Sequence, residues 1–400
     1  MNRGKLAQAL ALRLEQSVPS DRLPIIVEFG PDAGPRVIHE FIRQVPVRRL
    51  FRLVPSVALE VFPREVADLS EDGRIERIWL DLKVRACAGD YASAIQAPAV
   101  WEMGYTGRGV RIAVLDTGVD ADHPDLQGRV GTSKNFTDEA PTDTNGHGTY
   151  VAGVAAGDGR ASRGKYRGVA PHATILPGKV LDRDGVGLSS QVMAGLEWAL
   201  EEGAEIVNLS LGIAGPADGR DPLCRACDAA VERGMIVCVA AGNGGLSRSS
   251  VGIPAAARKV IVVGASDDQD APAEFSARGP TSDGRRKPDL LAPGVGIVSL
   301  RAQGTSMGQP VDAHYISHSS TSAAAAQVSG AIALLLQACP QLSPGDVKDV
   351  LWLSAWSLGQ PREAQGAGRL DALGALKVAQ RPRGRVRGFL RPLGWLLGRK

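Results

Sequence analysis

From about residue 108 the chain alternates strand-type and helix-type segments, and nothing else in it constrains the fold as strongly. Residues 111–116, 174–180, 205–211, 235–240 and 259–263 are nearly continuous apolar runs. Helix-period segments lie between them, near 147–157, 189–202 and 222–233. Strands that are apolar on both faces need cover on both. The pattern therefore predicts an α/β fold, a mainly parallel sheet with helices on both faces. Helices over about 321–338, 344–355 and 369–379 close this unit.

Residues 1–88 read as a separate, small α+β unit. Ile25-Ile26-Val27-Glu28-Phe29 is a strand, a helix follows around 36–43, and 47–62 supplies two strands turned at Pro55. A helix over 65–70 and a strand over 75–84 complete β-α-β-β-α-β. That ferredoxin-like order gives a four-stranded antiparallel sheet with both helices on one face. The expected division is 1–88, 89–380 and a basic tail, 381–400.

The tail holds seven of the 46 bases and no acid, so the rest of this +3 chain is slightly acidic. Nucleic acid is not an expected partner. Mixed with Phe389, Leu390, Leu393, Trp395, Leu396 and Leu397, the tail arginines suit contact with an anionic membrane surface. Four glycines and two prolines favour a disordered tail instead. No apolar run approaches the roughly 18 residues of a membrane span. Met1-Asn2-Arg3-Gly4-Lys5 has the charge of a secretory leader, but the apolar stretch behind it contains Gln8 and is broken by Arg13 and Glu15. A cytoplasmic location is expected. The five cysteines (Cys87, Cys224, Cys227, Cys238, Cys339) are odd in number and sparse, which fits a reducing compartment. Cys224 and Cys227 have no second Cys or His pair nearby, so plain thiols are expected rather than zinc ligands.

In an open parallel sheet, functional groups collect at the carboxyl ends of strands. Asp116 stands at such an end, in Asp116-Thr117-Gly118, where a half-buried carboxylate can orient a histidine. His147 sits at a helix start in Asn145-Gly146-His147-Gly148-Thr149, and the glycines are expected to clear space around a ring that meets substrate. Asn243, after Ala240-Ala241-Gly242, ends another strand where an amide can donate to a developing oxyanion. Singly, each has a plain structural explanation: a turn cap, a packed histidine, a Gly-Asn turn. Two segments offer a nucleophile, Ser306 in Gly304-Thr305-Ser306-Met307-Gly308-Gln309-Pro310, and Ser322 at the head of an Ala-rich helix.

Taken together, residues 89–380 resemble a subtilisin-type serine protease. The order Asp, His, Ser differs from the chymotrypsin and α/β-hydrolase orders. The resemblance runs through His123-Pro124-Asp125-Leu126, Asn208-Leu209-Ser210-Leu211-Gly212, Phe275-Ser276-x-Arg278-Gly279 and Lys287-Pro288-Asp289-Leu290-x-Ala292-Pro293-Gly294. It implies a serine endopeptidase of polypeptide substrates, with Asp116, His147 and a serine as triad and Asn243 at the oxyanion. It implies a substrate bound as an added strand between Ser210-Leu211-Gly212 and Gly185-Val186-Gly187. Gly252 would floor an apolar pocket for the residue before the scissile bond. The N-terminal unit resembles the family's inhibitory propeptide, an intramolecular inhibitor, and 84–92 corresponds to the linker that the enzyme cuts itself. No cofactor is required for catalysis and no metal residue is assigned. Asp125 corresponds to a calcium ligand, yet 157–167 lacks the ligand pattern and reads like intracellular bacterial members, leaving a structural calcium open.

The letters around Ser306 match the family's Gly-Thr-Ser-Met-x-x-Pro, but helix chemistry favours Ser322. The nucleophile needs the N-terminus of a long buried helix. After Ser306 come Gly308, Pro310, Asp312 and His314; after Ser322 come some sixteen helix formers. Twelve residues separate Gly294 from Ser306, too few for a strand and return, whereas twenty-eight separate it from Ser322. On this choice Ser320, Ala323, Ala326 and Gln327 replace the family's Gly, Met, Pro and His. The alternative reading is a catalytically weakened homologue that binds peptides. A serine esterase would need Gly-x-Ser-x-Gly at a strand-to-helix turn, and the chain has none at such a position.

Overall fold

Alternation along the first strand sorts the N-terminal half of the molecule into a helix-covered face and a docking face. The computed structural model describes residues 2–30, 33–86, 93–245 and 247–381. In chain order, α1 (Gln8–Glu15), β1 (Leu23–Phe29), α2 (Pro35–Ile42), β2 (Val47–Phe51), β3 (Ser56–Val61), α3 (Pro63–Glu71) and β4 (Ile75–Leu80) come first. Their strands pair antiparallel in the order β2-β3-β1-β4. Ile25 and Val27 share a core with Leu10, Phe41, Val66 and Leu69 of the three helices. Ile26, Phe51 and Ala58 belong to a core shared with the second half. A helix over 8–15 is not expected from the sequence; Leu10 within it and Leu6 just before it are buried, and Leu6 bridges Ile78.

The run 75–84, expected as one strand, is broken at Asp81-Leu82. β5 (Lys83–Ala86) leaves the first sheet and lies between two strands of the second half. Asp81 makes the break. Its buried carboxylate accepts the Ser190 N–H at 2.9 Å and the Ser190 hydroxyl, capping a helix across the boundary. Residues 87–92, with Cys87 and most of the expected linker, lie outside the described residues, as does the tail from 382.

The second half runs α4 (Ala97–Glu102), β6 (Arg111–Asp116), β7 (Lys134–Asn135), α5 (His147–Ala156), β8 (Thr174–Lys179), β9 (Val186–Leu188), α6 (Ser189–Glu201), β10 (Ile206–Leu209) and β11 (Leu211–Gly212). It continues with α7 (Pro222–Glu232), β12 (Ile236–Ala240), β13 (Ile261–Ser266) and β14 (Leu290–Pro293). A seven-stranded parallel sheet forms in the order β14-β13-β12-β10-β6-β8-β7. β15 (Ile297–Leu300), β16 (Gln309–Pro310) and β17 (Tyr315–His318) make a small antiparallel sheet, followed by α8 (Thr321–Ala338), α9 (Pro344–Ser354), α10 (Arg362–Gln365) and α11 (Ala372–Ala379).

Both faces of the large sheet are covered. Ile112 and Val114 share a core with α5 and α8, Ala113 and Leu115 with α6 and α7. That is why β6 reads as an unbroken apolar run. The short β14 escaped the sequence reading. It is fixed by Asp289, which accepts the Val262 N–H at 2.8 Å. Burial pushes that carboxyl up, but Lys287 and Lys348 draw it down to about 2.

Candidate active site

The carboxyl end of β6 and the starts of α5 and α8 meet at one edge of the parallel sheet. Asp116 Oδ1 accepts the Thr117 N–H at 2.8 Å and lies 2.7 Å from His147 Nδ1. His147 opens α5, and its Nε2 lies 3.2 Å from the hydroxyl of Ser322, the second residue of α8. All three side chains are buried. Because the carboxylate accepts, Nδ1 carries the proton, and Nε2 of the neutral ring is left as the acceptor for a hydroxyl proton. Such a chain can make a serine oxygen nucleophilic.

The helix start that carries His147 is held by a residue the sequence reading missed. Asp143 is buried and accepts the N–H groups of Gly146 at 2.8 Å and Thr149 at 2.9 Å. It also accepts the hydroxyls of Thr117 at 2.9 Å and Thr149 at 2.6 Å. The legible signal was an acid just ahead of a helix start. The flanking glycines do not clear room for substrate, as the sequence reading expects. A Cβ on Gly148 would strike the Gly118 carbonyl oxygen and lie 3.2 Å from Asp116 Cβ. Gly146 takes φ +102°, and a Cβ there would sit 2.8 Å from Thr305 Oγ1. Gly148 lets α5 come close enough to β6 for the Asp–His bond, and Gly146 lets the loop around Thr305 and Met307 pack against the helix start.

Asn243 follows β12. Its Oδ1 accepts the Thr321 N–H at 3.1 Å and the Thr321 hydroxyl at 3.0 Å, which turns the Nδ2 donor away from the helix. The Ser322 N–H donates to Ser320 Oγ at 2.9 Å. Ser210 lies beneath the serine, its hydroxyl donating to the Ser322 carbonyl at 3.1 Å. Ser306 is elsewhere, exposed on the loop between β15 and β16 and followed by a two-residue strand rather than a helix.

Beside this cluster β5 lies antiparallel between β9 and β11. Leu211 and Gly212 pair with Ala86 and Arg85, and Gly187 pairs with Val84. Of the other expected strand-binding residues, Gly185 sits in the turn before β9 and Ser210 under Ser322. Neither pairs with β5. A cavity of about 270 Å³ opens next to Asn243, lined mainly by Ile213, Ala240, Ala241, Ile253, Ala255 and glycines that include Gly252. Gly252 has a second reason to lack a side chain, since a Cβ there would strike the Ile213 carbonyl oxygen in the 213–253 bridge. His318, at the end of β17, also escaped the sequence reading. Burial and then the neighbouring His147 push its ring down to about 4, leaving it neutral near pH 7.

The residues around Asp125 do not fit a calcium ion. Its Oδ1 accepts the Ala161 N–H at 2.7 Å and its Oδ2 accepts the Tyr315 hydroxyl at 2.5 Å. Two donors whose hydrogens face the carboxylate stand where a cation would have to sit. Burial, and then this carboxylate, push the Tyr315 phenol well up. Among the described residues no group of three or more acids, histidines and cysteines could hold a metal.

The model of the subtilase family, Peptidase_S8, matches residues 107–375. The chain belongs to the subtilase family. It is 36% identical to serine protease AprX of Bacillus subtilis (strain 168) over 388 residues, covering 88% of this chain and 87% of that protein. Subtilisin E of the same organism is 36% identical over 323 residues, 78% of each chain. Fervidolysin from Fervidobacterium pennivorans, described as a keratinolytic enzyme related to subtilisin, superposes with a TM-score of 0.74 at 24% identity. That superposition covers 89% of this chain and 61% of fervidolysin, and it shows the fold. This subtilase is a serine-type endopeptidase acting on polypeptides.

Proposed function

We propose that Ser322 is the nucleophile of this endopeptidase. Its hydroxyl attacks the scissile carbonyl while His147 Nε2 takes the proton and later delivers it to the leaving amine. Asp116 holds the Nδ1–H tautomer and stabilises the imidazolium. Asn243 Nδ2 and the Ser322 N–H receive the negative oxygen of the tetrahedral intermediate. The observation that carries the reading is the continuous run from Asp116 through His147 to Ser322, at 2.7 and 3.2 Å.

Substrate binds as a strand between β9 and β11, with an apolar side chain in the cavity beside Asn243. In the intact chain β5 takes that place, so the N-terminal unit is the intramolecular inhibitor. Its grip rests on Asp81 at Ser190, on the ion pair of Glu28 with Arg225, and on Glu197, which accepts the Leu53 N–H at 2.9 Å and the Arg52 N–H. Catalysis by Asp116, His147, Ser322 and Asn243 requires no cofactor. Labelling with a serine-directed fluorophosphonate tests the assignment. Wild type and Ser306→Ala take up the label and Ser322→Ala does not. Loss confined to Ser306→Ala overturns it, and an unlabelled wild type points to a peptide-binding homologue.

A further inference from the structure

Ser320 is the residue before α8 and stands where the family resemblance calls for glycine. Its backbone is extended, φ −170° and ψ 176°, and its side chain is fully buried. It is fixed from behind, its N–H donating to the Gly294 carbonyl at 2.9 Å. Its Oγ accepts the Ser322 N–H at 2.9 Å. Among the described residues no acceptor takes the hydroxyl's own proton. A Ser at this position is an ordinary helix cap in any other protein. Here the capped amide is the one the reaction needs, because an oxyanion donor must lie about 2.7–3.1 Å from the developing charge. An N–H aims its one hydrogen best at one acceptor. Ser320 Oγ therefore competes for the N–H that an incoming negative oxygen would use.

We propose that the Ser320 hydroxyl is a resting-state plug in the oxyanion hole. It holds the Ser322 amide until the substrate carbonyl oxygen displaces it by rotation about the Ser320 Cα–Cβ bond. The exchange runs toward product because an amide bonds an ionised oxygen more strongly than a neutral hydroxyl. Ser320 is thus a positioning residue, acting through the Ser322 amide. Asn243 keeps its own anchor on Thr321 throughout. The proposal rests on Ser322 being the nucleophile.

The test compares wild type, Ser320→Ala and Ser320→Gly. It measures acylation rates with a chromogenic peptide and inhibition by a peptide aldehyde and by the matching peptide amide. Removing the plug raises the acylation rate about five-fold, the size of one neutral hydrogen bond. The aldehyde, whose adduct carries the oxyanion, tightens by a similar factor, whereas KM and the amide's inhibition stay put. An unchanged acylation rate with a lowered melting temperature makes Ser320 a cap only, and overturns the proposal. A ten-fold fall overturns it as well, making the hydroxyl itself an oxyanion donor. Ser320→Gly carries the test if the alanine variant folds poorly, because glycine caps nearly as well as serine. Labelling that persists in Ser322→Ala refutes the nucleophile assignment instead, independently of either Ser320 variant.

Discussion

Replacing Gly148 by alanine adds one methyl group that forces α5 away from β6. The new Cβ strikes the Gly118 carbonyl oxygen, with Gly118 C at 3.1 Å and Asp116 Cβ at 3.2 Å, so backbone rather than a flexible side chain must yield. The Gly148 N–H, bonded to Thr117 Oγ1 at 2.9 Å, ties the same two segments and moves with them. Relief takes a shift on the order of 1 Å, and a misplacement of that size costs roughly 10²-fold in rate. Added to the 2.7 Å separation of His147 Nδ1 and Asp116 Oδ1, it breaks the hydrogen bond. The expected result is a kcat about 10²-fold lower, roughly 3 kcal/mol of transition-state stabilisation, with KM little changed. Steady-state kinetics on a chromogenic peptide reads this directly, with circular dichroism melts in a Ser322→Ala background as a check on folding. A folded Gly148→Ala enzyme with kcat within about three-fold of wild type would refute the close-approach account of this glycine.

Asn243→Ala lowers kcat by about 10²–10³, the loss seen when a subtilisin is deprived of such a donor, and leaves KM nearly constant; a matching rise in KM counts against the oxyanion role. Asp81 is buried, and burial, offset by Ser190, Arg49 and Arg48, raises its carboxyl from 3.8 to about 6. The folded chain therefore holds this proton more tightly than the unfolded one. Its contribution is full below about pH 4 and is lost as pH rises through 6, a change of about 3 kcal/mol. Denaturant melts of Ser322→Ala with and without Asp81→Asn check the sign: the wild-type-minus-variant difference falls between pH 4 and 7, and a flat difference refutes it. Glu197→Ala removes the acceptor for two N–H groups of the N-terminal unit, so the intact chain gains activity toward added peptide while the processed enzyme does not. Equal gains in both would exclude an effect on docking.

The strands and helices of the large sheet were legible because burial on both faces writes unbroken apolar runs such as 111–116. That a long helix follows Ser322 and not its better-matching rival Ser306 was legible because Ala323–Leu336 can form one where Gly308 and Pro310 cannot. What escaped is short or set by tertiary contact. β14 has four residues, and the motif that holds Asp289 does not reveal its bond to the Val262 amide. α1 depends on the pocket that receives Leu10. Asp143 is one acid among many until its five donors are seen together. The glycines about His147 were noticed for the wrong reason, since sequence shows a missing side chain but not the neighbour that requires its absence. The break at Asp81 was invisible because its cause, the amide of Ser190, lies more than a hundred residues away.

The contacts between the two halves share one design. Each half supplies a carboxylate that satisfies backbone donors of the other: Asp81 caps α6 of the peptidase half, and Glu197 of α6 takes the Arg52 and Leu53 amides of the β2–β3 turn. Helix-start and turn amides are solvated at little cost once exposed, so neither contact traps the pair as a large apolar interface would. The apolar share is modest, with Ile26, Phe51, Leu53, Val54 and Ala58 joining the core around Trp198. β5 contributes antiparallel backbone pairing with β9 and β11. The N-terminal unit docks with a defined register, because the caps fix where Asp81 sits and hence where β5 begins two residues later. On the proposed inhibitor reading, a cut beyond β5 leaves the unit held by these carboxylate caps, the β5 pairing and the apolar contacts of Ile26, Phe51 and Ala58, so release follows from losing the covalent link rather than from any rearrangement of the active site.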